Sequence, residues 1–195
     1  MYVMTTLWSP PLLDEEGNAG RAMAMEDWLA LDEDDAGELV DGRYEQEEVP
    51  DAVHELAVSW LIAVLRAWLG GKGFVFGSEV RLAISETKGR KADVSVYFPE
   101  RAPPPRRGAL REPPDIAIEV VTPTPRDERR DRLEKMADYA AFGVRSYWLL
   151  DPALGSFEVF ELGPDGRYTK SIGFTKGTIE IPRHAGLTID LDALW

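Results

Sequence analysis

Over residues 52–69 the apolar positions Val53, Leu56, Ala57, Trp60, Leu61, Val64, Leu65 and Trp68 recur at i, i+3, i+4 steps. Asp51 ahead of them and Gly70-Gly71 behind supply an N-cap and a stop, so the pattern predicts a long helix with a wide band to bury. A shorter helix is predicted over 25–31, and 37–43 reads as a short strand meeting an Asp41-Gly42 turn. Farther along the period changes to two. Strands are predicted over 74–84, 92–98 and 115–121; in the second, Asp93, Ser95 and Tyr97 face one way and Val94, Val96 and Phe98 the other. The third is apolar on both faces, the mark of a central strand, and Glu119 interrupts it. Thr122-Pro-Thr-Pro125 ends that strand and opens a helix, with Thr124 as N-cap, Pro125 at the first helical position and Gly143 as the stop. Its buried stripe is predicted to be Leu133, Met136, Ala137, Ala140 and Ala141. Strands over 144–150, 156–162 and 168–174 follow, joined by the Asp151-Pro152 and 163–166 turns. Residues 1–21 have no sustained period and read as an irregular arm, leaving 22–195 as a single mixed α/β domain with one continuous core.

Composition narrows the chemistry. The 195 residues suit one ordinary domain, and the absence of cysteine excludes disulfides, a thiol nucleophile and any cysteine-based metal site. Two histidines, His54 and His184, are too few for a multi-histidine centre, so any metal should be oxygen-ligated. The most apolar stretch, 56–69, contains Ser59 and Arg66 and falls short of the roughly 20 apolar residues a bilayer span needs. With no basic segment leading into an apolar one at the start, a cytoplasmic protein without a membrane partner is expected.

The net charge of −13 is unevenly spread. Residues 1–60 hold 16 acidic against 2 basic residues, while 61–195 are nearly balanced, with arginines gathered at 101–111 and 126–132. A positive local field can therefore survive in an acidic chain. Arg106, Arg107, Arg129 and Arg130 are the candidates for meeting a nucleic-acid backbone; their plain alternative is a solvated face.

Three polar residues stand where packing alone would not put them: Asp93 opening a strand, Glu119 within the central one, and Lys135 beside the apolar stripe of the next helix. A buried carboxylate without a partner costs several kcal/mol, so Glu119 must meet a cation of some kind. If the two strands are neighbours, Asp93 and Glu119 can converge on one oxygen-rich site suited to Mg²⁺, with Lys135 reaching the same cleft. Two acids and a lysine serve phosphodiester hydrolysis, in which a metal lowers the pKa of a bound water and the lysine orients it or stabilises developing charge. An ion pair of Glu119 with Lys135 or an arginine is the structural alternative.

The order of short motifs resembles the Uma-two family of restriction endonucleases, within the PD-(D/E)XK nuclease superfamily. Glu26-Asp27-Trp28-Leu29 precedes Glu38-Leu-Val-Asp-Gly42 and a helix beginning near His54; then come Lys91-Ala-Asp93-Val and Pro114-Asp-Ile-Ala-Ile-Glu119-Val-Val. A helix with Asp131, Lys135 and Tyr139, the run Gly143-Val-Arg-Ser-Tyr147-Trp148-Leu-Leu-Asp151-Pro152, and Leu187-Thr-Ile-Asp-Leu-Asp192 complete the series. The resemblance implies a restriction-endonuclease-like core, a mixed β-sheet flanked by helices. It also implies metal ligation by Asp93, Glu119 and the Val120 carbonyl, with Mg²⁺ as cofactor and Mn²⁺ as substitute. Lys135 would stand on the following helix in place of the usual lysine two residues after the glutamate, where this chain has Val121; Ala92 replaces a common proline. Glu38 is a candidate accessory ligand or water holder, with a strand-end ion pair as its alternative. His54 also matches a family position, although a packing histidine is the favoured reading. The expected activity is DNA hydrolysis by a homodimer. The alternative is a nuclease-fold binding or assembly module without turnover.

Overall fold

The computed structural model describes residues 20–32, 37–46, 50–105 and 107–194. In chain order the elements are β1 (Arg21–Ala22), α1 (Met25–Leu29), β2 (Gly37–Val40), β3 (Arg43–Gln46), α2 (Ala52–Trp68), β4 (Phe74–Phe76), β5 (Arg81–Ala83), β6 (Gly89–Lys91), β7 (Val94–Tyr97) and β8 (Ile116–Val120). There follow α3 (Pro125–Arg129), a π-helical turn (Arg130–Lys135), α4 (Met136–Phe142), β9 (Ser146–Asp151), β10 (Ser156–Leu162), β11 (Tyr168–Phe174), β12 (Thr178–Glu180), β13 (Thr188–Asp190) and a 3₁₀ turn (Leu191–Ala193).

The larger sheet has the order β11-β10-β9-β8-β7-β4. Its central strands β8 and β9 run parallel, with Ile116 opposite Ser146, and the other neighbours are antiparallel. A parallel pair needs a crossover, which the helical segment from Pro125 to Phe142 provides. The smaller sheet, β1-β3-β2-β6-β5, sets Leu39 of β2 opposite Gly89 of β6.

Alternation along β8 divides the core. Ile116, Ile118 and Val120 join Ala57, Val58, Leu61 and Leu65 of α2 in the main apolar cluster, while Ala117 and Val121 join Tyr139, Tyr147 and Leu149 on the other face. A third cluster unites Met25, Trp28, Leu39 and Ala83. The Trp28 ring lies so close over Gly89 that a Cβ there would fall on it, and its Nε1–H donates to the Gly37 carbonyl at 3.0 Å.

The mixed sheet, the central position of β8 and the Asp51 and Thr124 caps match the sequence pattern: Asp51 accepts from the His54 N–H and Thr124 from that of Asp127. Three expectations need correcting. The core is divided among three clusters because the chain changes sheets: 74–84 is two strands, β4 pairing with β7 and β5 with β6. The α2 band is narrower than its apolar residues, since Val53 and Leu56 are 46% and 53% exposed while His54 is buried. The helical segment after β8 is turned the other way. Asp127, Asp131, Lys135, Asp138 and Tyr139 face inward, and Leu133 is 64% exposed with Ala137 and Ala141 also outside. An apolar count selects the wrong face wherever the inward side chains are mutually ion-paired. Residues 1–19, most of the expected arm, lie outside the described residues; Arg21 and Ala22 already pair with Tyr44 and Arg43.

Candidate active site

Glu119 points from β8 toward the helical segment, where residues four apart share a face. Lys135 and Tyr139 use that spacing to take one carboxylate oxygen each: Lys135 Nζ donates to Oε2 at 2.9 Å and Tyr139 OH to Oε1 at 2.8 Å. The ammonium makes two hydrogen bonds and one further ion pair. Its other partners are the Lys91 carbonyl at 3.0 Å and Glu38 Oε1 at 3.3 Å. Glu38 reaches in from β2, accepts the Lys91 N–H at 2.8 Å on the same oxygen, and binds Arg90 Nη1 through Oε2 at 2.7 Å. Arg90, 1% exposed, continues to Asp138 at 2.7 Å, where Lys88 also donates at 2.6 Å.

A buried polar chain thus runs from Lys88 to Tyr139 with each ion against an opposite one. The π-helical turn is part of the device. Wider turns of this kind occur mostly as local insertions at functional positions, and here Asp131 and Lys135, both within the turn, face inward. Asp131 accepts from Arg130 Nε at 3.1 Å, and the Asp131 carbonyl accepts from Tyr147 OH at 2.7 Å.

Asp93 stands next to this group without joining its hydrogen bonds. Val94 of β7 pairs with Ile118 of β8, so Asp93 and Glu119 are next along the same register. The Asp93 carboxylate turns to the start of α2: Oδ2 accepts the Val120 N–H at 2.7 Å and meets His54 Nε2 at 3.1 Å. His54 is therefore more than packing. Burial would lower its pKa, but the bond to Asp93 and the nearby Glu55 raise it on balance.

The electrostatics tie the carboxylates together. Burial pushes Glu119 well above the usual range; Lys135 opposes this, and Asp93, Asp131 and Glu38 reinforce it. Burial acts on Glu38 in the same sense, but Lys135, Arg90 and the Lys91 N–H hold it below its ordinary value. Lys135 would be lowered by burial, yet Glu119, Glu38 and Asp131 keep it far above its ordinary value, so it stays an ammonium and a donor. Among the described residues no group of three His, Asp or Glu side chains is already arranged to hold a metal ion. The available donors, Asp93, Glu119 and the Val120 carbonyl, are nevertheless all oxygen, the donor type that a hard divalent cation takes.

The arginines divide. Arg130 is held by Asp127 at 2.7 Å and Asp131 at 3.1 Å, so its charge is committed inside the molecule. Arg129 is exposed, touching only Glu134 at 3.1 Å among the partners given by the described residues, and Arg107 is exposed. Arg106 lies outside the described residues. Of the acidic N-terminal part, Glu38 is 2% exposed and belongs to the site. Sequence reasoning missed Arg90, Asp138 and Lys88; the i, i+4, i+8 spacing of Asp127, Asp131 and Lys135 was the available sign of a polar inward face.

A family profile described as "Uma2: Putative restriction endonuclease" matches residues 24–192. No curated protein matches the chain. Among solved structures, the crystal structure of "a putative nuclease belonging to DUF820 from Anabaena variabilis ATCC 29413" superposes with a TM-score of 0.69 at 20% identity, covering 88% of this chain and 97% of that one. The likeness establishes a shared mixed α/β fold. Among the described residues no helix is long and apolar enough to cross a membrane.

Proposed function

Because the chain belongs to the Uma2 family, described as restriction endonucleases of putative standing, we propose that it is a metal-dependent endonuclease hydrolysing DNA phosphodiester bonds at the Asp93–Glu119–Lys135 site. The observation carrying this reading is the Lys135 ammonium held between Glu119 and Glu38, with Asp93 at the adjacent register position. Asp93, Glu119 and the Val120 carbonyl would hold Mg²⁺ or Mn²⁺. The ion would neutralise phosphate charge and lower the pKa of a bound water.

The chain's own groups do the remaining work. Lys135 can turn one N–H to a phosphate oxygen, stabilising negative charge as it grows, and the acids around it, by raising its pKa, favour the donor form. Tyr139 fixes Glu119 through Oε1, while the Val120 N–H and His54 orient Asp93. Arg90 and the Lys91 N–H keep Glu38 ionised opposite the lysine.

A binding module without turnover is favoured by one observation: the Lys135 ammonium is already held inside the protein, bonded to Glu119 and the Lys91 carbonyl and ion-paired with Glu38. Cleavage assays with Mg²⁺, Mn²⁺ and a chelator, paired with Mn²⁺ calorimetry, separate the readings. Cleavage that the chelator stops, that Lys135→Ala abolishes with Mn²⁺ binding retained, and that Asp93→Asn loses together with Mn²⁺ affinity supports the nuclease. Undiminished cleavage by Lys135→Ala, or no cleavage by the wild type, refutes it.

A further inference from the structure

Beside the site is a cavity of about 240 Å³ that the reaction as described leaves unused. Its walls come from three places: Val121, Thr122 and Pro123 after β8, Pro152 and Ala153 after β9, and Asp51, Val53 and His54 at the start of α2. It therefore opens at the carboxyl ends of the parallel strand pair, the position where open α/β sheets characteristically receive ligands. It also adjoins the catalytic groups through the chain itself, because Val121 and Thr122 follow Glu119 and Val120 directly and His54 meets Asp93.

The lining specifies the occupant's chemistry. Five of those eight side chains are apolar, Thr122 and His54 provide hydroxyl and imidazole groups, and the one carboxylate, Asp51, is engaged in accepting the His54 N–H at 2.8 Å. Such a surface fits a flat, mostly uncharged ring with a hydrogen-bonding edge. A volume of 240 Å³ is below the roughly 300 Å³ at which pockets for drug-sized ligands begin, so the space admits one ring system and not a base pair. Resting on the nuclease reading above, we infer that this cavity receives one unpaired nucleobase of the nucleotide flanking the scissile phosphate. The substrate is then single-stranded DNA, or duplex in which that nucleotide is unstacked. Extruding a base costs a few kcal/mol in intact duplex and least where it is already unpaired, so strand state sets the substrate preference.

The test is methyl NMR on the metal-free protein, titrated with the single-stranded dinucleotide thymidylyl-thymidine. Shifts confined to Val53, Val121, Thr122 and Ala153, weakened at least tenfold in Ala153→Trp and in Val53→Trp, support the subsite. Both substituted positions are exposed, and the dispersion of the remaining methyl signals reports that the variants stay folded. Inorganic phosphate moving the same methyls as strongly, or the dinucleotide moving methyls elsewhere or none, overturns it. A second arm compares cleavage of a single-stranded oligonucleotide and its fully paired duplex. At least a tenfold preference for the single strand that Ala153→Trp erases supports the inference, and wild-type cleavage with no such preference overturns it. A protein that binds the dinucleotide at these methyls but cuts nothing sinks the nuclease reading and leaves the subsite standing.

Discussion

Arg90 carries a full charge at 1% exposure, which only its two carboxylate partners make tolerable. Replacing it with Leu leaves Glu38 only Lys135 and the Lys91 N–H, and Asp138 only Lys88, and is expected to cost about 3 kcal/mol, read from urea denaturation. Arg90→Lys should recover part of this loss, since one ammonium cannot serve both acids in the guanidinium's forked geometry. The other histidine behaves differently. His184 packs edge-on against Trp68, Phe98 and Trp148 at centroid distances of 5.6–5.9 Å, and burial, helped by Arg183 and opposed by Asp115, holds its pKa below the ordinary 6.5. Because the unfolded chain takes up that proton first, His184 contributes its full stability above about pH 6.5 and loses it as pH falls toward the lower folded-state pKa. Thermal melts at about pH 7.5 and 5.5 should show wild type losing more stability than His184→Phe. An equal loss in both would place the acid sensitivity elsewhere. Glu119 could be picked out from sequence because an acid among β-branched residues violates a local rule. Arg90 and Asp138 violate none, since their meaning depends on a contact 48 residues apart along the chain.

At the scale of elements, the helical segment from Pro125 to Phe142 is where the pattern misled. Leu133, Ala137 and Ala141 look like a core stripe, yet the packed face is Asp127, Asp131, Lys135, Asp138 and Tyr139. Leu133→Lys is accordingly expected to change stability by no more than about 0.5 kcal/mol, whereas Asp138→Leu, which deprives Arg90 and Lys88, should cost about 3–5 kcal/mol. The reverse ranking in urea denaturation would restore the apolar stripe. Deleting Leu133 should relax the π-helical turn to an ordinary one and rotate the preceding residues by about 100° relative to α4. Helical circular dichroism would persist while Asp127 and Asp131 leave the inward face that Lys135 and Tyr139 keep, a loss of stability that urea denaturation would read. The strands were easier to read. β8 announced itself by apolar residues on both faces, but the break between β4 and β5 was hidden because both halves alternate alike and differ only in the sheet that receives them.

For the molecule as a whole, folding commits several of the clustered arginines to carboxylates. Arg101 pairs with Asp115, Arg132 with Asp151 and Glu158, and Arg130 with Asp127 and Asp131. These cations cannot approach a phosphate without breaking a native pair. Arg107 and Arg129 remain exposed, so the double variant Arg107→Ala, Arg129→Ala should weaken DNA binding and flatten the plot of log affinity against log salt by up to about two charges. An unchanged slope would assign the contacts to other residues.

The Trp28 ring resting on Gly89 connects these scales. Gly89 is opposite Leu39, the residue after Glu38, and directly precedes Arg90, while Trp28 is bonded to the carbonyl of Gly37. A single added methyl at Gly89 would displace the indole and, with it, the strand that carries Glu38 to Lys135. In a saturation-mutagenesis survey scored by activity, Gly89 should therefore be as intolerant as Lys135 itself. A position with no functional group to offer would be indistinguishable, by phenotype alone, from one that does the chemistry.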